Sequence, residues 1–195
     1  MIQLHATRKL FEVLPLNAQG QLAATPRSQW LFERTSPDFN PLSGWHGHLV
    51  TLQRRNCVFF IHNTTRFSLV LPALTKPDFA ELNDHFVDSF MNTLLKCGAE
   101  DNHMTAAHTY LRPLQFNTQC NRSVQGTLNR AKGDVEHSLW YNQTKIAELS
   151  GYRLGAWLAD RPCTVNGKTV IWPQKEMLML LSQLANNGVD MEAQC

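Results

Sequence analysis

The hydrophobic pattern begins with Ile2–His5, where apolar and polar residues alternate as in a short strand. Thr7 is placed to cap a short helix with Leu10, Phe11 and Leu14 on one face. Residues 17–44 hold Gly20, Pro26, Pro37, Pro41 and Gly44 with little periodicity, and read as an irregular excursion with a short element near Trp30–Phe32. Three apolar runs follow, Trp45–Gln53, Cys57–His62 and Phe67–Leu71. The polar breaks Arg54-Arg55-Asn56 and Asn63–Arg66 separate them, which predicts an antiparallel meander. The middle run, CVFFI, is apolar at every position, so it predicts a strand covered on both faces.

Helical spacing dominates the rest. Thr75 and Asp78 have capping-box separation, and Phe79, Leu82, Phe86, Phe90 and Leu94 form one helix face that ends near Gly98. A weaker helix is expected within 99–111 and a strand at Leu114–Thr118. Val124, Leu128, Ala131, Val135 and Leu139 predict a long helix that starts near Asn121 or Ser123. Ile146, Leu149, Leu154, Trp157 and Leu158 predict another, interrupted or ended around Gly151. Asn166-Gly167 reads as a hairpin turn, and Pro173 as the first residue of a last helix bearing Met177, Leu180, Leu181 and Leu184. A polar, frayed tail is expected over 186–195. Strands first and helices later predict a single α+β domain over residues 1–195: an antiparallel β-sheet, with its meander at about 45–71, and helices packed against it.

Composition narrows the class. Only 17% of the 195 residues are charged and the net charge is +2, which excludes a polycation or a charged disordered tail. The start lacks the apolar run of a secretory signal, and no window approaches the roughly 20 apolar residues of a membrane span. Five cysteines with irregular spacing and no CxxC suit reduced thiols, so a cytoplasmic protein with no membrane partner is expected.

The small total hides a pattern. Residues 39–77 carry Arg54, Arg55, Arg66 and Lys76 with no acid; 78–101 are strongly acidic; 102–133 carry Arg112, Arg122, Arg130 and Lys132, again with no acid. Two basic blocks around an acidic helix point to a surface that meets phosphates, with Trp45 available for stacking. Simple neutralisation of the acidic helix by the basic turns is the competing explanation. Asn121-Arg122-Ser123, followed by Gly126 and Asn129, sets polar groups at a helix start, where unpaired N–H groups favour an anion; ordinary capping is the alternative. His46 and His48 share a strand face, and His62 on the next run completes a weaker metal-ligand set. Glu81, Asp84 and Asp88 form either a cation site or a solvated helix face, and Cys57 reads as a buried thiol. No nucleotide loop, hydrolase elbow or zinc-protease motif occurs, and no cofactor is implied.

The stretches LHATRKL, GWHGHLVTLQRRNCVFFIHNTTRFSLVLPAL with KPDF, and NRSVQGTLN resemble the bacterial domain-of-unknown-function family 6933, over roughly residues 2–160. The resemblance brings no activity. It implies that Trp45, Arg54, Arg55, Asn121, Arg122, Ser123, Gly126 and Asn129 occupy motif positions, and that His48 departs from the family pattern. Two readings follow. One is a binding protein that engages nucleic acid or a protein partner through Trp45, Arg54, Arg55, Arg66, Asn121, Arg122, Ser123, Asn129, Arg130 and Lys132. The other is an enzyme acting on a phosphate-containing substrate held at Asn121–Ser123, with a histidine as acid or base.

Overall fold

A computed structural model describes residues 1–34, 40–165 and 167–192, with side chains through Asn186. Strands β1 (Ile2–Ala6), β2 (Trp45–Leu52), β3 (Arg55–His62), β4 (Ser68–Leu74) and β5 (Leu114–Asn117) form one sheet in the order β4-β3-β2-β1-β5. The expected meander is present: β2 pairs antiparallel with β3 from Trp45↔His62 to Leu52↔Arg55, and β3 pairs antiparallel with β4. The expectation of an antiparallel sheet needs correction beyond that point, because β1 runs parallel to both β2 and β5. Parallel neighbours require long crossovers. Residues 7–44 make the first crossover, and the helices between β4 and β5 make the second.

Within the 17–44 excursion, Gln21 bridges to Gln115 and a short helix spans Gln29–Glu33. With the helix Arg8–Phe11 as α1 and this one as α2, the remaining helices are α3 (Leu82–Lys96), α4 (Asp101–Tyr110), α5 (Arg122–Tyr141), α6 (Gly151–Ala159) and α7 (Pro173–Glu192). The predicted helix over 76–94 divides. Pro77–Phe79 form a 3-10 turn, whose Asp78 carboxylate accepts from the Thr75 N–H and hydroxyl, and the α-helix starts at Leu82. Pro173 opens α7, and its backbone stays helical to Glu192, past the point where fraying was expected. Strands β6 (Cys163–Val165) and β7 (Thr169–Ile171) form the predicted hairpin; Asn166 of its turn lies outside the described residues.

The sheet is buried on both sides. Val58 and Phe60 of β3 join a core with α3, α4 and α7, while Cys57, Phe59 and Ile61 join a second core with Val124, Leu128 and Val135 of α5. The all-apolar CVFFI run is thus the strand covered on both faces, as its pattern requires.

Helix α6 begins at Gly151, where the sequence pattern suggested an interruption. It lies along β4, an edge strand whose unpaired backbone needs a cover. A Cβ on Gly151 would lie 2.3 Å from the Val70 carbonyl oxygen, and one on Gly155 would lie 2.9 Å from that of Ser68. Helix propensity favours alanine over glycine by up to about 1 kcal/mol. Because the obstacle at Gly151 is backbone, Gly151→Ala is nevertheless expected to lower stability by about 2 kcal/mol. Urea unfolding checks this, and an unchanged or raised midpoint would contradict the close approach.

Candidate anion site

The turn from β3 to β4 is closed by His62 N–H to Phe67 O and Arg66 N–H to His62 O, both 2.9 Å. It holds Arg66 at φ +58, a left-handed conformation that costs a non-glycine residue about 1 kcal/mol or more. The arginine is also only 4% exposed. Its Nη2 donates to Ser123 Oγ at 3.1 Å, while Nε and Nη1 are buried with no hydrogen-bond partner among the described residues. Burial pulls the Arg66 pKa below its ordinary value. A strained backbone and an incompletely paired buried charge thus coincide in one residue.

Ser123 lies in the first turn of α5, where the helix leaves backbone N–H groups without intrahelical acceptors. Asn121 caps that turn, its Oδ1 accepting from Ser123 N–H at 2.8 Å. The Asn121 N–H donates to His46 Nε2 at 2.6 Å, which ties the helix start to β2. One flank of α5 then presents Thr127, Arg130 and Asp134 at helical spacing to a cavity of about 120 Å³. Arg66, Ser68, Arg161 and Cys163 line the same cavity. Arg161 is neutralised by Asp134 at 2.8 Å, whereas no ion pair to Arg66 or Arg130 is present among the described residues. The cavity therefore carries two uncompensated guanidinium charges, and Arg66 also reaches the first turn of α5 through Ser123. Burial pushes the Cys163 thiol pKa up, against the pull of Arg66 and Arg130, which keeps it protonated and poor as a nucleophile.

The other expected site residues are dispersed. Arg122 and Asn129 are exposed on α5, and Lys132 pairs with Glu136 at 3.4 Å. Arg54 and Arg55 lie at the hairpin tip, at the opposite end of β3 from Arg66; seven residue steps separate Arg55 from His62, about 23 Å along a strand. The two basic blocks meet at the cavity through Arg66 and Arg130, while Arg54 and Arg55 lie away from it. Trp45 is 0% exposed, donates its indole N–H to Leu42 O at 2.8 Å and packs edge-on against Phe86 and Phe90. It offers no stacking face, and its role in ligand stacking is withdrawn.

The histidine metal set is also corrected. His62 pairs across the strands with Trp45, so it faces the opposite side of the sheet from His46. His46 spends both nitrogens: Nε2 accepts from Asn121, which leaves the proton on Nδ1 to donate to Asn63 Oδ1 at 2.5 Å. His62 Nδ1 meets Thr65 Oγ1 at 2.9 Å and Nε2 meets the Ser43 carbonyl at 3.3 Å. His48 Nδ1 contacts Thr7 Oγ1 at 3.1 Å. No group of three or more metal-binding side chains occurs among the described residues. The acidic face of α3 is engaged too: Asp84 accepts from the Thr25 hydroxyl at 2.7 Å and Asp88 from the Tyr152 hydroxyl.

Sequence reasoning named Arg66, Ser123 and Arg130 but missed Thr127, Ser68, Arg161 and Cys163. Thr127 had a signal, since it falls four residues after Ser123 and three before Arg130 on one helix flank. Ser68, Arg161 and Cys163 had none, because only the tertiary fold brings them to α5. No curated protein and no solved structure matches the chain. No helix among the described residues is long and apolar enough to cross a membrane. The sequence model described as Domain of unknown function (DUF6933) matches residues 3–176, which include every residue of the cavity, and the chain belongs to that family.

Proposed function

We propose that this protein binds a phosphate-bearing ligand at Arg66 and the start of α5. The observation that carries the reading is the buried Arg66 guanidinium, with Nε and Nη1 unpartnered beside a helix N-terminus. A buried charge without a full set of partners costs several kcal/mol, and an anion accepting from Arg66 would offset part of that cost. Arg130 supplies a second positive charge to the same cavity, which Ser68 and Thr127 also line, their hydroxyls donating to the Arg66 and Ser123 carbonyls. The volume of about 120 Å³ suits a single phosphoryl group rather than a whole nucleotide.

Binding is favoured over catalysis by the surroundings of Ser123. Its hydroxyl accepts from Arg66, and His46, which meets the same helix start, contacts the Asn121 backbone instead. A general base needs hydrogen-bond reach to its nucleophile.

Thermal unfolding at fixed ionic strength, in phosphate against chloride, tests the proposal. Phosphate at a hundred times its Kd is expected to add about 2.7 kcal/mol to the wild type. Arg66→Asn, which tolerates the left-handed backbone, is expected to lose that increment. Equal phosphate effects on both proteins, or none on the wild type, would overturn it.

A further inference from the structure

We infer that a single strand of nucleic acid docks across the C-terminal end of α5, beside the β2–β3 hairpin tip. The inference starts at the hairpin. Gln53 and Arg54 hold φ of +47 and +64, the conformation that Asn-Gly would adopt at less cost. Gln53 uses its amide to fix the tip: Nε2 donates to Thr144 O at 3.0 Å and Oε1 accepts from Ile146 N–H at 2.8 Å. Arg54 and Arg55 are thereby held, exposed, beside the C-terminal end of α5. Neither has an acidic partner among the described residues, whereas Arg8, Lys132, Lys145 and Arg161 are each paired.

Next to this tip stand the two most exposed large apolar side chains among the described residues. Trp140 is 76% and Tyr141 73% exposed. Trp140 shares a groove of about 250 Å³ with Thr51, Leu52 and Gln53 of the hairpin. Tyr141 and Trp157 line a neighbouring groove of about 430 Å³, bounded by Asp134 and Arg161. Those two residues also line the Arg66 cavity, so this second groove runs into it, while the Trp140 groove lies on the other flank of α5.

Exposed cations beside exposed flat rings match a chain that alternates phosphates with flat bases. A base must leave its stack to lie on Trp140, which selects a single strand over a duplex. The phosphates fall on the hairpin arginines, whose full charges outweigh the partial charge of the α5 C-terminus, and the bases fall on the exposed rings. The inference stands on the hairpin and α5 residues and does not rest on the reading of Arg66 proposed above.

Fluorescence anisotropy with a labelled oligothymidylate tests this at low salt. Trp140→Ala and Tyr141→Ala are each expected to weaken binding about tenfold, and Trp140→Phe to restore most of it. Arg54→Ala with Arg55→Ala is expected to reduce the slope of log K against log salt by about 1.4. No binding, affinity indifferent to these variants, a duplex bound as tightly, or polyglutamate competing as well as the oligonucleotide would each overturn the inference. If oligonucleotide binding fails while phosphate still stabilises the wild type and not Arg66→Asn, the cavity stands and the strand site does not.

Discussion

Acidification from pH 7 to pH 4 is expected to remove on the order of 6 kcal/mol of folding stability, through two buried histidines that the fold keeps neutral. Burial is the main cause in both, and it lowers His46 and His62 from 6.5 to about 4. For His46 the Asn63 hydrogen bond opposes burial, while His5 and Arg66 add to it. For His62 the Ser43 carbonyl opposes burial and Arg66 adds to it. The folded value lies below the unfolded one, so the unfolded chain takes up protons first. The stability is therefore complete above about pH 6.5 and is lost as pH falls through about 4. Each histidine contributes about 3 kcal/mol by this linkage. Protonation of His46 would also place a hydrogen on Nε2, where the Asn121 N–H now points, and so uncap the start of α5. Urea unfolding at intervals between pH 7.5 and pH 4 measures the loss. His46→Gln is expected to remove about half of the dependence, and a flat profile for the wild type would contradict the neutral assignments.

Trp45→Ala is expected to destabilise the protein by about 3–5 kcal/mol, because a large aromatic side chain is deleted from a closed core. The indole is fully buried, lies 5.1 Å from the Phe86 ring centroid and 5.7 Å from that of Phe90, and satisfies its N–H at Leu42. The variant also leaves the Leu42 carbonyl without that donor. Chemical denaturation gives the size of the loss. Phosphate-dependent stabilisation of the variant, measured below its melting temperature, is expected to match the wild type. A variant with normal stability and abolished ligand binding would return Trp45 to the ligand surface.

Much of the fold is legible in the sequence because the buried faces repeat with clean periods. The stripe Val124, Leu128, Ala131, Val135 and Leu139 becomes the buried face of α5. The three runs after Trp45 become β2, β3 and β4. What escapes is the pairing of β1. A short alternating strand has the same pattern in parallel and antiparallel sheets, and direction follows only from where the crossover returns the chain. The start of α6 escapes for a different reason. Glycine reads as a helix breaker, yet at Gly151 it serves the approach of helix backbone to the β4 edge.

The site was partly legible. Charge blocks drew attention to Arg66 and Arg130, which the fold brings to one cavity, and the polar helix start to Ser123, which meets Arg66. Charge alone could not separate them from Arg54 and Arg55, because residues eleven apart in sequence lie at opposite ends of a strand. Nor could it identify the histidine faces. His46 and His62 look like a pair until the register puts Trp45, and not His46, opposite His62.

The most direct test of the anion site is a nitrogen–proton NMR titration of the Arg66 Nε–H with phosphate at constant ionic strength. The account predicts a saturable shift of that resonance with slowed solvent exchange, lost on Arg66→Asn, while the Arg54 and Arg55 resonances stay in place. An Arg66 Nε–H that does not move, or that moves no further than those of the hairpin arginines, would contradict it.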